Sequence, residues 1–498
     1  MTALSELLPA GGAGKVMDFV ASGTLPNGKA VVLNSNGTVT AVASSGSAES
    51  IPAGSDVVFH AGGTTNYSQI AFDPNTANKF VVSYQDNANS NYGTVIVGTI
   101  SGTSISFGSE IVFASDNTSY LSLAFDPNTA NKFVITYSDG NSAVGTARVG
   151  TVSGTSISFG SEVVFNAGAT SYQSLSFHPS TANRFVITYT DSANSNYGTA
   201  IVGTLSNTSI SFGSEYVFNA GTTYYTQSSF DPSTAKLVAI YRDRVNSNYG
   251  TAIVGTLSGT SISFGSEVVY NSAQSNAQSV SFDPNTANKC VIVHQNAGNS
   301  NSGTAIVGTV SGTSISFGTA VVFNVGNTMT PYVAFEPNTA GKLLVVYRDQ
   351  ANSAYGAAIA GTVSGTSITF DSEIVFNTAA SDEPVFNFDP NTAYKFVLVY
   401  RDDGNSSYGT AFVGQVSSLA TNLTSTNFLG ITSKAISNTA TGPITLQGGI
   451  STNQSSLTVG STYYVQANGT VSTVSTSPAV NIGKALNATT LKLKGLSV

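Results

Sequence analysis

Tyr172 to Asn219 reads YQSLSFHPSTANRFVITYTDSANSNYGTAIVGTLSNTSISFGSEYVFN, and close copies of this sentence recur so that the chain carries it seven times. Its anchor is Phe followed by an acidic residue or His and then Pro. The anchor phenylalanines are Phe72, Phe125, Phe177, Phe230, Phe282, Phe335 and Phe388, and by subtraction they are spaced 53, 52, 53, 52, 53 and 53 residues apart. That period is close to the roughly 40–50 residues of a four-stranded propeller blade.

Each copy offers four strands. In the first, strand A covers Tyr67 to Phe72, B Phe80 to Tyr84, C Gly93 to Ile100 and D Thr103 to Phe113. The A–B turn has a mechanism. Asp73, Asp126, Asp231, Asp283 and Asp389 accept from the amides that follow, Pro presets φ, and Asn78 tolerates a left-handed backbone. Gly341 suits that last position in the sixth copy, and Tyr394 in the seventh is an exception. In the middle of strand D stands Gly108-Ser109-Glu110. A glycine bulge and an outward Glu would guard an exposed sheet edge, and Glu162, Glu215, Glu267 and Glu373 repeat the device, whereas Ala320 lacks it.

The seventh copy ends at strand C, near Val413 to Val416, with no strand D behind it. Before the first copy, Glu49 to Phe59 matches a strand D. The start of the repeat region would therefore complete its last blade and close a ring, which removes unpaired edges. The expected fold is all-β: a seven-bladed propeller over 47–418, closed by strand exchange, with a small β-barrel or sandwich built from 15–46 and 419–498. Residues 1–14 read as an arm, with one helical turn at Ser5 to Pro9 or a frayed end. The two flanks echo each other: Val32 to Val39 and Tyr464 to Val471 each carry Asn-Gly-Thr-Val, a hairpin signal.

Only 9% of the 498 residues are charged, against about 25% in ordinary proteins, so recognition would rest on hydroxyls, amides and rings. The net charge of −8 without a basic cluster argues against nucleic-acid binding. The single cysteine, Cys290, replaces Phe80 of the first copy and reads as a core thiol. No secretory leader is visible, and no apolar run reaches the roughly 18 residues of a membrane span.

The flanks resemble a module of structural proteins from tailed bacteriophages, especially those of marine cyanobacteria. The residues that carry this are Ser5 to Pro9, Ala21 to Leu25, Asn36 to Val39, Leu457 to Val465 and Gly483 to Leu486. The repeats resemble those inserted in some such proteins. The resemblance implies a virion component: a tail-fibre-like receptor-binding protein or a capsid decoration. The implied partners are capsid or tail proteins, further copies of the same chain, and a host-surface polysaccharide or receptor.

No catalytic machinery is evident. Asp86, Asp139, Asp191, Asp243, Asp349 and Asp402 follow strand B in six copies, but they are all alike, which suits a repeated turn better than a glycosidase pair. Arg242, Arg348 and Arg401, just before three of them, read as solvated blade edges with an anion-binding rim as the alternative. His60, His178 and His294 occupy different repeat positions, so no metal site or triad is expected, and no cofactor. Asp402, Asp403 and Asn405 read as a surface turn rather than a calcium loop. The copies differ most between strand D and the next strand A. Loops there would carry glycan or receptor binding, and the candidates are His60, Asn66, Asn117, Tyr224, Tyr225, Gln274, Asn276, Asn327, Asp382 and Glu383.

Overall fold

A computed structural model of the chain describes residues 15–42, 44–45, 51–140, 142–416, 420–421, 423–424, 426–466, 469–473 and 480–495. The arm over 1–14 lies outside the described residues. The chain divides into two compact units, 50–416 and the pair 1–49 with 417–498. The described residues form an all-β, propeller-like fold, with three single-turn 3-10 segments and no α-helix.

In the repeat unit the alternation of apolar residues produces antiparallel sheets. Thr65–Phe72 pairs with Lys79–Asp86, which pairs with Tyr92–Ser101. Strand D is split. Ser104–Phe107 forms a hairpin with the far half of C, Phe107 opposite Gly98, and Ile111 resumes opposite Val95. Four steps on D thus face three on C, the extra residue falling within Gly108 to Glu110 as a bulge. The glycine has a further reason. A Cβ on Gly213 would lie 2.0 Å from the backbone oxygen of Thr260 in the next repeat, and the same holds for Gly54, Gly108, Gly160, Gly265 and Gly318. Asp371 occupies this position in the sixth repeat, the one followed by a repeat with no C–D turn.

The segments expected as D–A loops are mostly strand. Ile111–Phe125, Val163–Phe177, Tyr216–Phe230, Val268–Phe282 and Ile374–Phe388 each run unbroken from the D position of one repeat into the A position of the next. The strand breaks only at 61–64 and 325–327. Successive inner strands lie side by side, and Ile374–Phe388 lies against Thr65–Phe72. Val57–His60 pairs with Tyr408–Gln415, Ala411 opposite Val57.

The core lies between neighbouring sheets. Val186, Ala200, Val202 and Phe218 pack with Phe230, Leu237 and Tyr241 of the next repeat, and Val397 and Val413 pack with Phe80 and Val82 of the first. Each fully buried Phe or Val contributes about 1.5–3 kcal/mol. Cys290 is fully buried, and burial pushes its thiol up to about 12.

The turn aspartates also join repeats. Asp126 accepts from Asn128 N at 2.9 Å with one oxygen and from Asn183 N of the next repeat at 3.0 Å with the other. Asp73, Asp231 and Asp283 do the same. Asp389 keeps its own cap, but its Oδ2 is buried without a partner. The exception foreseen at Tyr394 does not arise: its φ is +64°, like that of Asn78 at +61°. Its backbone N donates to Glu336, and its hydroxyl accepts from Thr339 at 2.8 Å, contacts that hold the strained backbone in place.

In the other unit, strands from both ends of the chain pair. Val16–Val20 lies beside Thr441–Leu446, and Ala30–Leu33 beside Phe428–Thr432. A second sheet contains Thr462–Val465, Asn481–Asn487 and Thr490–Leu493. Ala30, Val32 and Val42 share a core with Tyr463, Val465 and Ile482. The two Asn-Gly hairpins close alike, Asn34 N bonding Thr38 O and Gln466 N bonding Thr470 O.

Candidate ligand-binding site

Near the start of every inner strand the register with strand B slips, as between Asn66 and Gln69 or Ser171 and Ser174. The residue in the slip has a left-handed backbone in all seven repeats. The φ values are +52° at Tyr67, +51° at Tyr120, +52° at Tyr172, +54° at Tyr225, +40° at Ala277, +46° at Thr330 and +47° at Glu383. Such residues cost on the order of 1–3 kcal/mol each and persist only where the surroundings enforce them. The slip takes the side chain out of the strand's alternation.

Four of the seven are consecutive tyrosines. Their ring centroids are 5.4 Å apart for Tyr67 and Tyr120, 4.9 Å for Tyr120 and Tyr172, and 4.9 Å for Tyr172 and Tyr225. The rings are half-buried and form an arc. Ala277 and Thr330 hold the same position in the next two repeats with small side chains, and Glu383 in the last accepts Tyr67 N at 2.5 Å. Burial, together with neighbouring Asp382, pushes the Glu383 carboxyl up to about 7. Burial and neighbouring phenols hold Tyr172 above the usual tyrosine range.

A polar ring lies beside the arc. Across three of the A–B pairs the side chains bond: Asn66 donates to Gln85 at 3.0 Å, Asn276 donates to Gln295 at 3.0 Å, and Arg401 donates to Asp382 at 2.5 Å. Further bonds run to the next repeat, from Gln85 to Asn117 at 3.2 Å, Arg242 to Asn276 at 2.5 Å, Gln295 to Asn327 at 2.9 Å and Arg401 to Asn66 at 2.8 Å. Arg242 lies over both Tyr224 and Tyr225, 4.8 and 4.9 Å from the ring centroids. The arginines are therefore not solvated edges. Arg348 and Arg401 converge on Asp382, and Arg401 also binds Asp403, which argues against a calcium loop there.

Eight of the sequence candidates fall on the arc or the polar ring: Asn66, Asn117, Tyr224, Tyr225, Asn276, Asn327, Asp382 and Glu383. Gln274 is exposed and donates to Asn276 at 3.2 Å. His60 is apart from them, buried between Asp86 and Glu110. Tyr67, Tyr120 and Tyr172 were missed because they read as ordinary strand A residues.

The repeated carboxylates after strand B cap their turns, as Asp86 does for Asn89 N and Asp191 for Asn194 N. Four of the five glutamates at the Gly-Ser-Glu position are tyrosine partners rather than free edge charges, and Glu162 pairs with Arg148 at 3.3 Å. Glu110, Glu215, Glu267 and Glu373 accept the hydroxyls of Tyr84, Tyr189, Tyr241 and Tyr347 at 2.8, 2.8, 2.6 and 2.5 Å. The fifth repeat lacks both partners, having His294 and Ala320 instead. In the second and seventh repeats the hydroxyls of Tyr137 and Tyr400 are buried without a hydrogen-bond partner, so the contact is made in four repeats only.

No protein-family model matches the chain, and no curated protein matches its sequence. Solved structures do match. The BP39L lectin of Burkholderia pseudomallei aligns over 70% of this chain and 96% of its own, with 8% identity and a TM-score of 0.54. Sqt1 of Chaetomium thermophilum aligns over 73% of this chain and 98% of its own, with 13% identity and a TM-score of 0.49. At such identities the likeness to the Burkholderia lectin establishes a shared fold, all-β and propeller-like.

Proposed function

We propose that the repeat unit is a closed seven-bladed propeller that binds carbohydrate through the tyrosine arc, and that the unit built from both ends anchors it on a phage particle for display to host-surface glycans. The arc carries this reading. Four half-buried phenol rings in a row offer flat apolar faces with polar tips, the surface on which a sugar's C–H face stacks. Amides and the Arg401–Asp382 pair beside them suit sugar hydroxyls. The side-by-side inner strands and the pairing of Val57–His60 with the last repeat support closure. The lectin in the Burkholderia structure supports the ligand class, and the resemblance of the flanks supports the particle. The capping roles of the repeated carboxylates favour binding without cleavage.

The test is binding of the purified chain to bacterial surface polysaccharides, with Tyr120→Ala and Tyr172→Ala. Each loses a stacking face worth about 0.5–1.5 kcal/mol beyond its area, so affinity should fall several-fold or more. His178→Ala, at the opposite end of strand A, should bind as the parent does. Unchanged binding in the double tyrosine variant would refute the arc, and depolymerisation of the glycan would favour an enzyme.

A further inference from the structure

A second site lies away from the arc, at the residue that ends Val57–His60. At the equivalent point the other repeats carry Ala114, Asn166, Asn219, Asn271, Asn324 and Asn377. Asn166 and Asn377 each donate to the residue after strand B, Asp191 and Asp402, at 3.1 Å. His60 breaks this pattern. Its Nδ1 lies 2.8 Å from Glu110 Oε1, and its Nε2 lies 3.2 Å from Asp86 Oδ1. Glu110 is itself held by the hydroxyl of Tyr84 at 2.8 Å. The ring and Asp86 are both buried, at 4% and 5% exposure.

The two nitrogens are not equivalent. Nδ1 bonds Glu110, whereas Nε2 has no hydrogen-bond partner despite its nearness to Asp86. A buried nitrogen without a partner is costly unless something else engages it. Two ligand atoms each about 2.0–2.2 Å from one ion lie about 3.0–3.5 Å apart, which brackets the separation of Nε2 and Oδ1. A carboxylate on the far nitrogen of the imidazole is the arrangement that fixes a metal-binding histidine's tautomer. The polar atoms of His60, Asp86 and Glu110 lie within 4.8 Å of one another.

We propose that His60 Nε2 and Asp86 bind a divalent transition-metal ion of the zinc type, with Glu110 as the positioning residue that holds Nδ1–H. Imidazole with one carboxylate suits zinc better than calcium or magnesium. The ion would tie the strand that completes the last repeat to the first repeat, across the short connection 61–64. This inference stands on residues outside the arc and is independent of glycan binding.

The full chain, stripped with a chelator, is dialysed against zinc, and bound metal is measured by elemental analysis alongside thermal unfolding. One ion per chain and a rise in Tm are expected. The repeats supply the variants: His60→Asn as at Asn166, Asp86→Asn as at Asn296, and Glu110→Ala as at Ala320. The first two should lose the ion and the Tm rise while keeping the parent circular dichroism. Glu110→Ala should bind about 10- to 100-fold more weakly. No binding at millimolar zinc would overturn the proposal. So would undiminished binding by His60→Asn, which would move the site to His178 or His294.

Discussion

His294→Phe should stabilise the repeat unit, and more so in acid. His294 takes the place of the tyrosine found in the other repeats, is 1% exposed, and has no partner for either ring nitrogen. Phenylalanine is non-polar and fits a site built for tyrosine, beside the Tyr270 ring at 5.3 Å. Relieving the unsatisfied nitrogens should contribute about 1–3 kcal/mol at pH 7. Burial also lowers the imidazole from 6.5 to about 4. The unfolded chain therefore takes up this proton near pH 6.5, whereas the folded chain resists until about 4. Between those values the unfolded state binds more protons, so this contribution to stability is complete above 6.5 and is lost as pH falls to 4. A gap of about 2.5 pH units corresponds to about 3 kcal/mol. Glu383 acts in the opposite sense. Its carboxyl, raised from 4.5 to about 7, contributes stability that is present below 4.5 and lost as pH rises through 7. The parent's own pH profile is thereby flattened, and the informative quantity is the difference between parent and variant at each pH. Urea unfolding followed by tyrosine fluorescence is clean because the chain has no tryptophan. The stabilisation by His294→Phe should grow by about 3 kcal/mol from pH 7 to pH 4. A difference that stays constant with pH, or a His294 ring resonance titrating near its ordinary value, would refute the reasoning.

Asp126→Ala removes the acceptor for two backbone amides in two repeats and should cost about 2–4 kcal/mol in urea unfolding. Asp389→Ala should cost about half as much, because one of its oxygens has no partner to lose. Gly213→Ala places a Cβ 2.0 Å from Thr260 O and should cost more than about 2 kcal/mol by the same measurement; a smaller loss would show that the neighbouring turn yields.

Strands B and C, the A–B turns and the strand that completes the seventh repeat were legible because alternation and Asp-Pro spacing act locally. What was hidden depended on contacts between repeats. Glu110 reads as a solvent-facing charge until Tyr84 is placed beneath it, although the joint loss of tyrosine and glutamate in the fifth repeat was visible in the sequence. The arc was half legible. Tyr224 and Tyr225 stood out as a pair, but Tyr67, Tyr120 and Tyr172 acquire their direction from a backbone slip that no residue type announces. The neighbours of His60 lie 26 and 50 positions away, beyond the reach of any local pattern.

The unbroken 15-residue strands that pass from one repeat to the next have a consequence for how this face changes. Residues such as Asn117, Tyr224, Asn276 and Asp382 are mounted on paired backbone rather than on hinged segments. A ligand arriving there immobilises little chain, so association carries a small conformational-entropy penalty. The same rigidity narrows the routes of diversification. Side chains can be exchanged one at a time without disturbing the scaffold, whereas added length fits most readily at 61–64 and 325–327, the two places where these strands break.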